Sequence, residues 1–238
     1  MMQGGNAADE ESWMRCGEGA QIPVLTGHEI HVWRASLDGA ADKIKALESL
    51  LSPDERARAD RFRFPEHRSR FIGARGTLRR ILGMCLDCEP AELRFAYGEH
   101  GKPALESPVD RRVEFNLSHS GGIALYAVAI ERRVGVDVEL IKEGKWLRIA
   151  AQFFTPEEAA FLGKLPEEAM RKEFFLLWSQ KEACLKAIGT GLRFPLEEAE
   201  NAIPWTIINL NPMPGYAGAL AFESMGHDAQ IIRHHFAI

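Results

Sequence analysis

Two long stretches repeat apolar residues with a helical period, and each is preceded by a short capped helix and followed by runs with the two-residue period of a strand. Between Pro65 and about Asp87, Phe71, Ile72, Leu78, Ile81, Leu82 and Leu86 recur mainly at three, four and seven residues, which predicts a long helix with one buried stripe. A second long helix is predicted from about Pro166 to Ile188, with Phe174, Phe175, Leu177, Trp178, Leu185 and Ile188 as its apolar surface and Gly189 as C-cap. Ser52-Pro53-Asp54-Glu55 and Thr155-Pro156-Glu157-Glu158 read as helix starts, each with a hydroxyl cap, a proline and then acids. Shorter helices are expected at Asp38 to Leu51, from Ser52 to about Phe64, and at Trp146 to Phe154. Strands are expected at Ile30 to Trp33, Arg94 to Tyr97, Val113 to Leu117, Ile123 to Ile130, Gly135 to Glu139, Trp205 to Leu210, Gly218 to Glu223 and Ala229 to Phe236. Residues 1–20 show no period and read as a loose arm. The two halves share an order of elements without sharing a repeated sequence.

Composition narrows the class. The 238 residues are 46% hydrophobic, ordinary for a folded chain with a sizeable core. With 34 acidic residues against 29 Lys and Arg the formal charge is -5, which argues against a nucleic-acid binder. No apolar run approaches the roughly 18 residues that span a bilayer, and the N-terminus lacks a signal-peptide pattern, so a cytoplasmic protein without a membrane partner is expected. Cys16, Cys85, Cys88 and Cys184 are too scattered for a disulfide framework; Cys85 and Cys88 form a C-x-x-C with no second ligand pair, and two thiols at a helix end is the simpler reading.

The chemistry centres on Gly135-Val136-Asp137-Val138-Glu139. On a strand, Asp137 and Glu139 share one face while Val136 and Val138 take the other. Two adjacent carboxylates fit either a wet acidic face or a site for a hard divalent cation such as Mg2+, for which oxygen ligands are suited. Upstream, Ser118-His119-Ser120-Gly121-Gly122 reads as a turn whose backbone and imidazole suit phosphate oxygens, or simply as an exposed turn. Downstream, Glu182 and Lys186 are one helical turn apart, either partners in the same site or a surface ion pair. Between Arg56 and Arg80 lie nine arginines, among them Arg58, Arg70 and Arg75, open to two readings: a solvated basic face or a surface for an anionic ligand. His227, His234 and His235 have no ligand spacing and read as structural.

Three ordered motifs resemble one family. Phe-Asn-Leu-Ser-His-Ser-Gly from Phe115 to Gly121, Gly-Val-Asp-Val-Glu from Gly135 to Glu139, and F-F-x-L-W-S-x-K-E-x-x-x-K from Phe174 to Lys186 closely resemble the Sfp-type 4′-phosphopantetheinyl transferases. The likeness extends to Gly101-Lys102-Pro103, to Phe153-Phe154-Thr155-x-x-Glu158, and to the Ser52-Pro53 helix start, so it spans roughly residues 50–192.

The resemblance implies an α+β chain of two similar α/β lobes with pseudo-twofold symmetry, divided here as an arm over 1–20 and lobes over 21–133 and 134–238. It implies coenzyme A in the cleft and transfer of its phosphopantetheine arm to a serine of an apo acyl carrier or peptidyl carrier protein. By the same resemblance Asp137, Glu139 and Glu182 are the Mg2+ ligands, with Mn2+ a workable substitute. Glu182 is also the candidate base, as ligand, base or both, and Lys186 reaches phosphate oxygens. Ser118 and His119 are assigned to the coenzyme A phosphates, and Lys102 and Arg75, with Arg58 and Arg70 in the same role, to its 3′-phosphate and adenine end. Where the family often carries lysines, this chain has Glu55 and Arg58. Lys164, Arg171 or Lys172 would steer an acidic carrier, and two lobes in one chain favour a monomer. Two other classes use the same residues: an Mg2+-dependent hydrolase of coenzyme A or nucleotide pyrophosphates, and a non-catalytic carrier-binding module.

Overall fold

The computed structural model describes residues 13–16, 25–106, 112–190, 204–226 and 228–238. His227 and parts of the 1–20 arm lie outside them. Within that arm, Met14–Cys16 forms a short strand, β1, rather than loose chain. Apart from this strand and a short one at Pro103–Leu105, neither of them predicted, the main elements follow the predicted order. The first half has β2 (Glu29–Ser36), α1 (Ala41–Ser49), α2 (Pro53–Ala59), α3 (Pro65–Leu86), the hairpin β3 (Phe95–Tyr97) and β4 (Pro103–Leu105), then β5 (Val113–Ser120) and β6 (Ile123–Ile130). The second has β7 (Val134–Leu140), α4 (Trp146–Phe153), α5 (Pro156–Leu162), α6 (Glu167–Ile188), β8 (Trp205–Leu210), β9 (Tyr216–Glu223) and β10 (Gln230–Phe236). The fold is thus mixed α+β, and each half carries two short helices before one of 22 residues.

The matching helix starts behave alike because their sequences do. In α2 and α5 alike the acid three residues on, Glu55 or Glu158, reaches back to the backbone N–H of the capping Ser52 or Thr155, and the Thr155 hydroxyl also accepts from the Glu158 N–H. One sheet runs β1-β10-β2-β6-β5 and another β7-β9-β8. The last strand crosses the expected boundary after residue 133: β10 lies parallel between β1 and β2, with His234 opposite Trp33, and its buried His234 and Phe236, two residues apart, face the same side of that sheet. A second difference concerns Ser118, His119 and Ser120. They do not form a turn; pairing with Leu125, Ala124 and Ile123 keeps them in β5, and Gly121, at φ +55°, makes the turn.

Alternation on β7 sets the rest. Val134, Val136 and Val138 enter a core with Ile30, Leu125 and Leu220, while Gly135, Asp137 and Glu139 face the other way. Against that face lies α6, through the small residues Ala183 and Ala187, which cluster with Ala219 and Ala221 of β9. A Cβ on Gly135 would meet the Ala183 carbonyl oxygen at 2.0 Å and the Ala187 nitrogen at 2.4 Å. Only glycine lets the helix backbone approach this closely. Further along α6, Phe174 stacks on Trp146 and Phe154 and Phe175 meets Trp146 edge-on, clamping the helix to α4 and the turn before α5.

A second buried feature is polar. His31 Nδ1 and His234 Nε2 lie 2.9 Å apart with their rings stacked, centroids 5.1 Å apart, and Trp33 stacks on His234. Burial, and after it the His31 charge, pulls the His234 imidazole down to about 4; burial also lowers His31 against the raising effect of Glu29.

Two predictions follow from the packing. Gly135→Ala forces β7 and α6 apart and destabilises the protein by about 2–3 kcal/mol, read from the midpoint of urea unfolding. Because the unfolded chain protonates these histidines near their ordinary value, about 6.5, and the folded chain only lower, their stabilisation is complete above that value and is lost as pH falls toward about 4. Unfolding midpoints measured across this range should fall, and His234→Gln, which carries no titrating ring, should flatten the decline.

Candidate active site

The candidate site forms where two edge strands meet. In their sheets β5 and β7 are both terminal, and no backbone ladder joins them. Side chains bridge instead. Asn116 Oδ1 accepts from the Val136 N–H at 2.9 Å, Ser118 Oγ from the Val138 N–H at 3.3 Å, and Ser120 Oγ from the Leu140 N–H at 3.1 Å. Alternation makes this possible: 116, 118 and 120 share one face of β5, as 135, 137 and 139 do on β7. These rungs satisfy donors that an unpaired edge would leave buried.

The same serines reach the acids. Ser118 Oγ donates to Asp137 Oδ1 at 2.8 Å, and Ser120 Oγ to Glu139 Oε2 at 3.0 Å. From α6, Lys186 Nζ donates to Asp137 Oδ1 at 2.5 Å and to Ser118 Oγ at 2.9 Å. Asp137 is only 1% exposed, and its Oδ2 has no hydrogen-bond partner in the protein. Burial and then the Asp137 charge push the Glu139 carboxyl up, against Ser120 and Lys186. Burial raises Glu182 too, with Lys186 opposing and Asp137 and Glu139 adding to the rise.

Of the two readings of Glu182 and Lys186, the surface ion pair does not describe Lys186, whose ammonium engages buried Asp137 across the helix–strand contact. His119, on the opposite face of β5 from the serines, is exposed; desolvation first, then the nearby charges of Lys186 and Arg58, lowers its imidazole.

As the side chains stand, no three His, Cys, Asp or Glu among the described residues converge to grip an ion. Their chemistry nonetheless fits one: an orphaned carboxylate oxygen on Asp137, with two neighbouring carboxyls raised by burial and further by the negative charge around them, is a donor set completed by a hard cation.

Several residues expected at an anion site have other partners. Arg75 is a correction: its guanidinium is buried between α2 and α3, bonded to Glu55 at 2.8 and 2.5 Å and to the Tyr97 hydroxyl, while Arg79 takes the other Glu55 oxygen at 2.6 Å. Burial alone would raise Glu55, but the Arg75 and Arg79 charges outweigh it and hold the carboxyl low. Ser118 is likewise engaged by Asp137, Lys186 and Val138 rather than left open to a phosphate. Lys102, at the turn before β4, donates to the Ala187 carbonyl at 3.0 Å and to that of Val134 at 3.4 Å; its positive charge sits on the C-terminal end of α6, where the dipole favours it. Arg70 pairs with Asp38 and Glu66 at the surface. Arg58 is exposed and lies over the Phe71 ring. The cysteines are ordinary: burial pushes Cys85 up to about 12, and Cys88 is exposed without a ligand partner.

Sequence reasoning missed Asn116, Ser120 and Glu55. The first two were signalled by their two-residue spacing from Ser118; Glu55 was signalled only by its place in the capping box.

Two cavities adjoin the cluster. One of about 200 Å³ lies between the His100–Pro103 turn, Asn116 and Leu117 of β5, and Leu185 and Lys186 of α6. Past Lys102, a second of about 600 Å³ is lined by β4, the start of β5, Arg133 and the end of α6.

Comparison with known proteins assigns the class. Residues 133–230 match the family model of the 4′-phosphopantetheinyl transferase superfamily, and residues 33–131 match that of the 4′-phosphopantetheinyl transferase N-terminal region. The 4′-phosphopantetheinyl transferase HetI of Nostoc sp. is 41% identical over 220 residues, covering 85% of this chain and 91% of that protein. The chain belongs to the 4′-phosphopantetheinyl transferase family. A putative 4′-phosphopantetheinyl transferase of Synechocystis sp. is 39% identical over 63% of this chain and 61% of its own length. Sfp of Bacillus subtilis is 31% identical over 63% of this chain and 65% of its own. The mixed α+β fold accords with this membership.

Glu55 generates the test of the basic helix. Glu55→Ala strands two buried guanidinium groups and should cost about 3–5 kcal/mol of unfolding free energy, read by denaturant titration. Unchanged stability would contradict the structural role given to Arg75 and Arg79.

Proposed function

We propose that this chain transfers the 4′-phosphopantetheine group of coenzyme A to a serine hydroxyl of an apo acyl carrier or peptidyl carrier protein, releasing adenosine 3′,5′-bisphosphate. The observation that carries the reading is the joining of Asp137, Glu139, Glu182 and Lys186 at one seam, in a chain that belongs to this family. Asp137, Glu139 and Glu182 would hold Mg2+, or Mn2+ in its place. When bound, such an ion polarises the pyrophosphate and neutralises charge on the departing phosphate.

The protein's own groups supply the rest. Lys186 Nζ offers a cation at the edge of the 200 Å³ cavity, within reach of a pyrophosphate oxygen, and balances Asp137 until substrate arrives. Glu182, less acidic than an ordinary glutamate, is suited to take the serine proton, directly or through a water. His119, whose imidazole is pushed down by burial and then by the charges of Lys186 and Arg58, offers a ring N–H for a phosphate oxygen. Arg58 and Arg70 are the candidates for the 3′-phosphate, and Lys102 borders both cavities. Ser118 acts one layer back by holding Asp137. Lys164, Arg171 and Lys172, on and around α6, provide cationic surface for an acidic carrier. The chain works as a monomer in the cytoplasm. Among the described residues no helix is long and apolar enough to cross a membrane.

The test follows release of adenosine 3′,5′-bisphosphate by chromatography in the presence of an apo carrier. Asp137→Ala should lower the rate at least about a thousandfold, since it removes a ligand for the ion and the partner of Lys186. Full activity in that variant would remove the metal assignment. Release of the bisphosphate without any carrier would point to hydrolysis instead.

A further inference from the structure

Among the three rungs that join β5 to β7, only two also touch an acid, and only one touches an acid without touching Lys186. Ser118 Oγ meets Val138, Asp137 and Lys186 together, so its effects cannot be separated. Asn116 meets only the backbone of Val136. Ser120 lies between these cases. Its oxygen accepts the Leu140 N–H at 3.1 Å, and its single hydroxyl proton goes to Glu139 Oε2 at 3.0 Å. A serine hydroxyl has one donor, and the backbone N–H cannot be an acceptor, so the direction of both bonds is fixed.

We infer that Ser120 is a positioning residue for Glu139. The hydroxyl locks the carboxylate against the seam and aims it along the face that Asp137 shares, while its second bond anchors it to the strand that carries both acids. Without it, the terminal torsion of Glu139 is free to turn the carboxylate toward solvent at the end of β7, where Leu140 is already exposed. Outer partners of this kind orient metal-binding carboxylates and typically change metal affinity about 10–100-fold when removed. The inference rests on the assignment of Glu139 as a metal ligand proposed above.

The experiment titrates Mn2+ alone into the intact protein and follows the free ion by electron paramagnetic resonance. Ser120→Ala should raise the Mn2+ dissociation constant about tenfold. Ser120→Thr, which keeps the hydroxyl, should restore it. Asn116→Ala loses a rung of the same seam without losing an acid contact, so it should lower the thermal midpoint while leaving the Mn2+ constant within about twofold of wild type. A Ser120→Ala constant equal to wild type overturns the inference. So does an Asn116→Ala loss as large as that of Ser120→Ala, because the seam as a whole would then be responsible. If Asn116→Ala does not fold, the Ala and Thr variants at 120 decide alone: equal constants for the two overturn it. Failure of the wild-type protein to bind Mn2+ at all overturns the metal assignment itself, and the inference falls with it.

Discussion

The structure depends on how closely α6 approaches β7. That distance is set at Gly135, where a single methyl group would lie within 2.0 Å of the Ala183 carbonyl oxygen. Alanines at 183, 187, 219 and 221 make the contact flat enough for a helix to lie on the strand. The chemical consequence is direct. Side chains two residues apart on β7 share a face, so a helix seated on Gly135 brings its own residues beside Asp137. Lys186 then meets a carboxylate that is nearly inaccessible to water. Burying a charge this fully is costly unless it is paired, and the Lys186 and Ser118 contacts supply the pairing for one oxygen.

The second constraint is the seam between two sheets. Edge strands normally need protection because their free N–H groups invite other strands. Here Asn116, Ser118 and Ser120 cap alternate N–H groups of β7 with side-chain oxygens. A backbone ladder would have drawn the strands into one continuous sheet. Side-chain rungs keep them further apart and leave polar atoms between them. The geometry that joins the two halves of the chain therefore also builds the polar lining of the site.

Much of this was legible in the residues. The proline and acid pattern after Ser52 and Thr155 gave both short helices, and the alternation of Val136 and Val138 with Asp137 and Glu139 gave the facing of β7. Other features were not, for physical reasons. Serine, histidine and glycine favour turns by local propensity, yet cross-strand pairing with β6 drew Ser118 to Ser120 into a strand. The arginines of α3 look alike in sequence, whereas their fates depend on acids far away: Glu55 buries two of them, and Arg68 is taken by Glu48 and Asp60. The position of β10 between β1 and β2 is a matter of topology, about which periodicity says nothing. Lys102 reads from the residues only as part of a turn between Gly101 and Pro103, and nothing in that setting signals that its head group meets two backbone carbonyls across the chain.

The central claim is that this seam moves a phosphopantetheine arm onto a carrier. The most direct measurement is the intact mass of an apo acyl carrier and an apo peptidyl carrier after incubation with the protein, coenzyme A and Mg2+, beside an EDTA control and a carrier whose acceptor serine is replaced by alanine. The account predicts a phosphopantetheine-sized gain on at least one carrier, lost with EDTA and absent from the alanine carrier. Unmodified carriers with coenzyme A consumed, or a gain that survives EDTA, would contradict it.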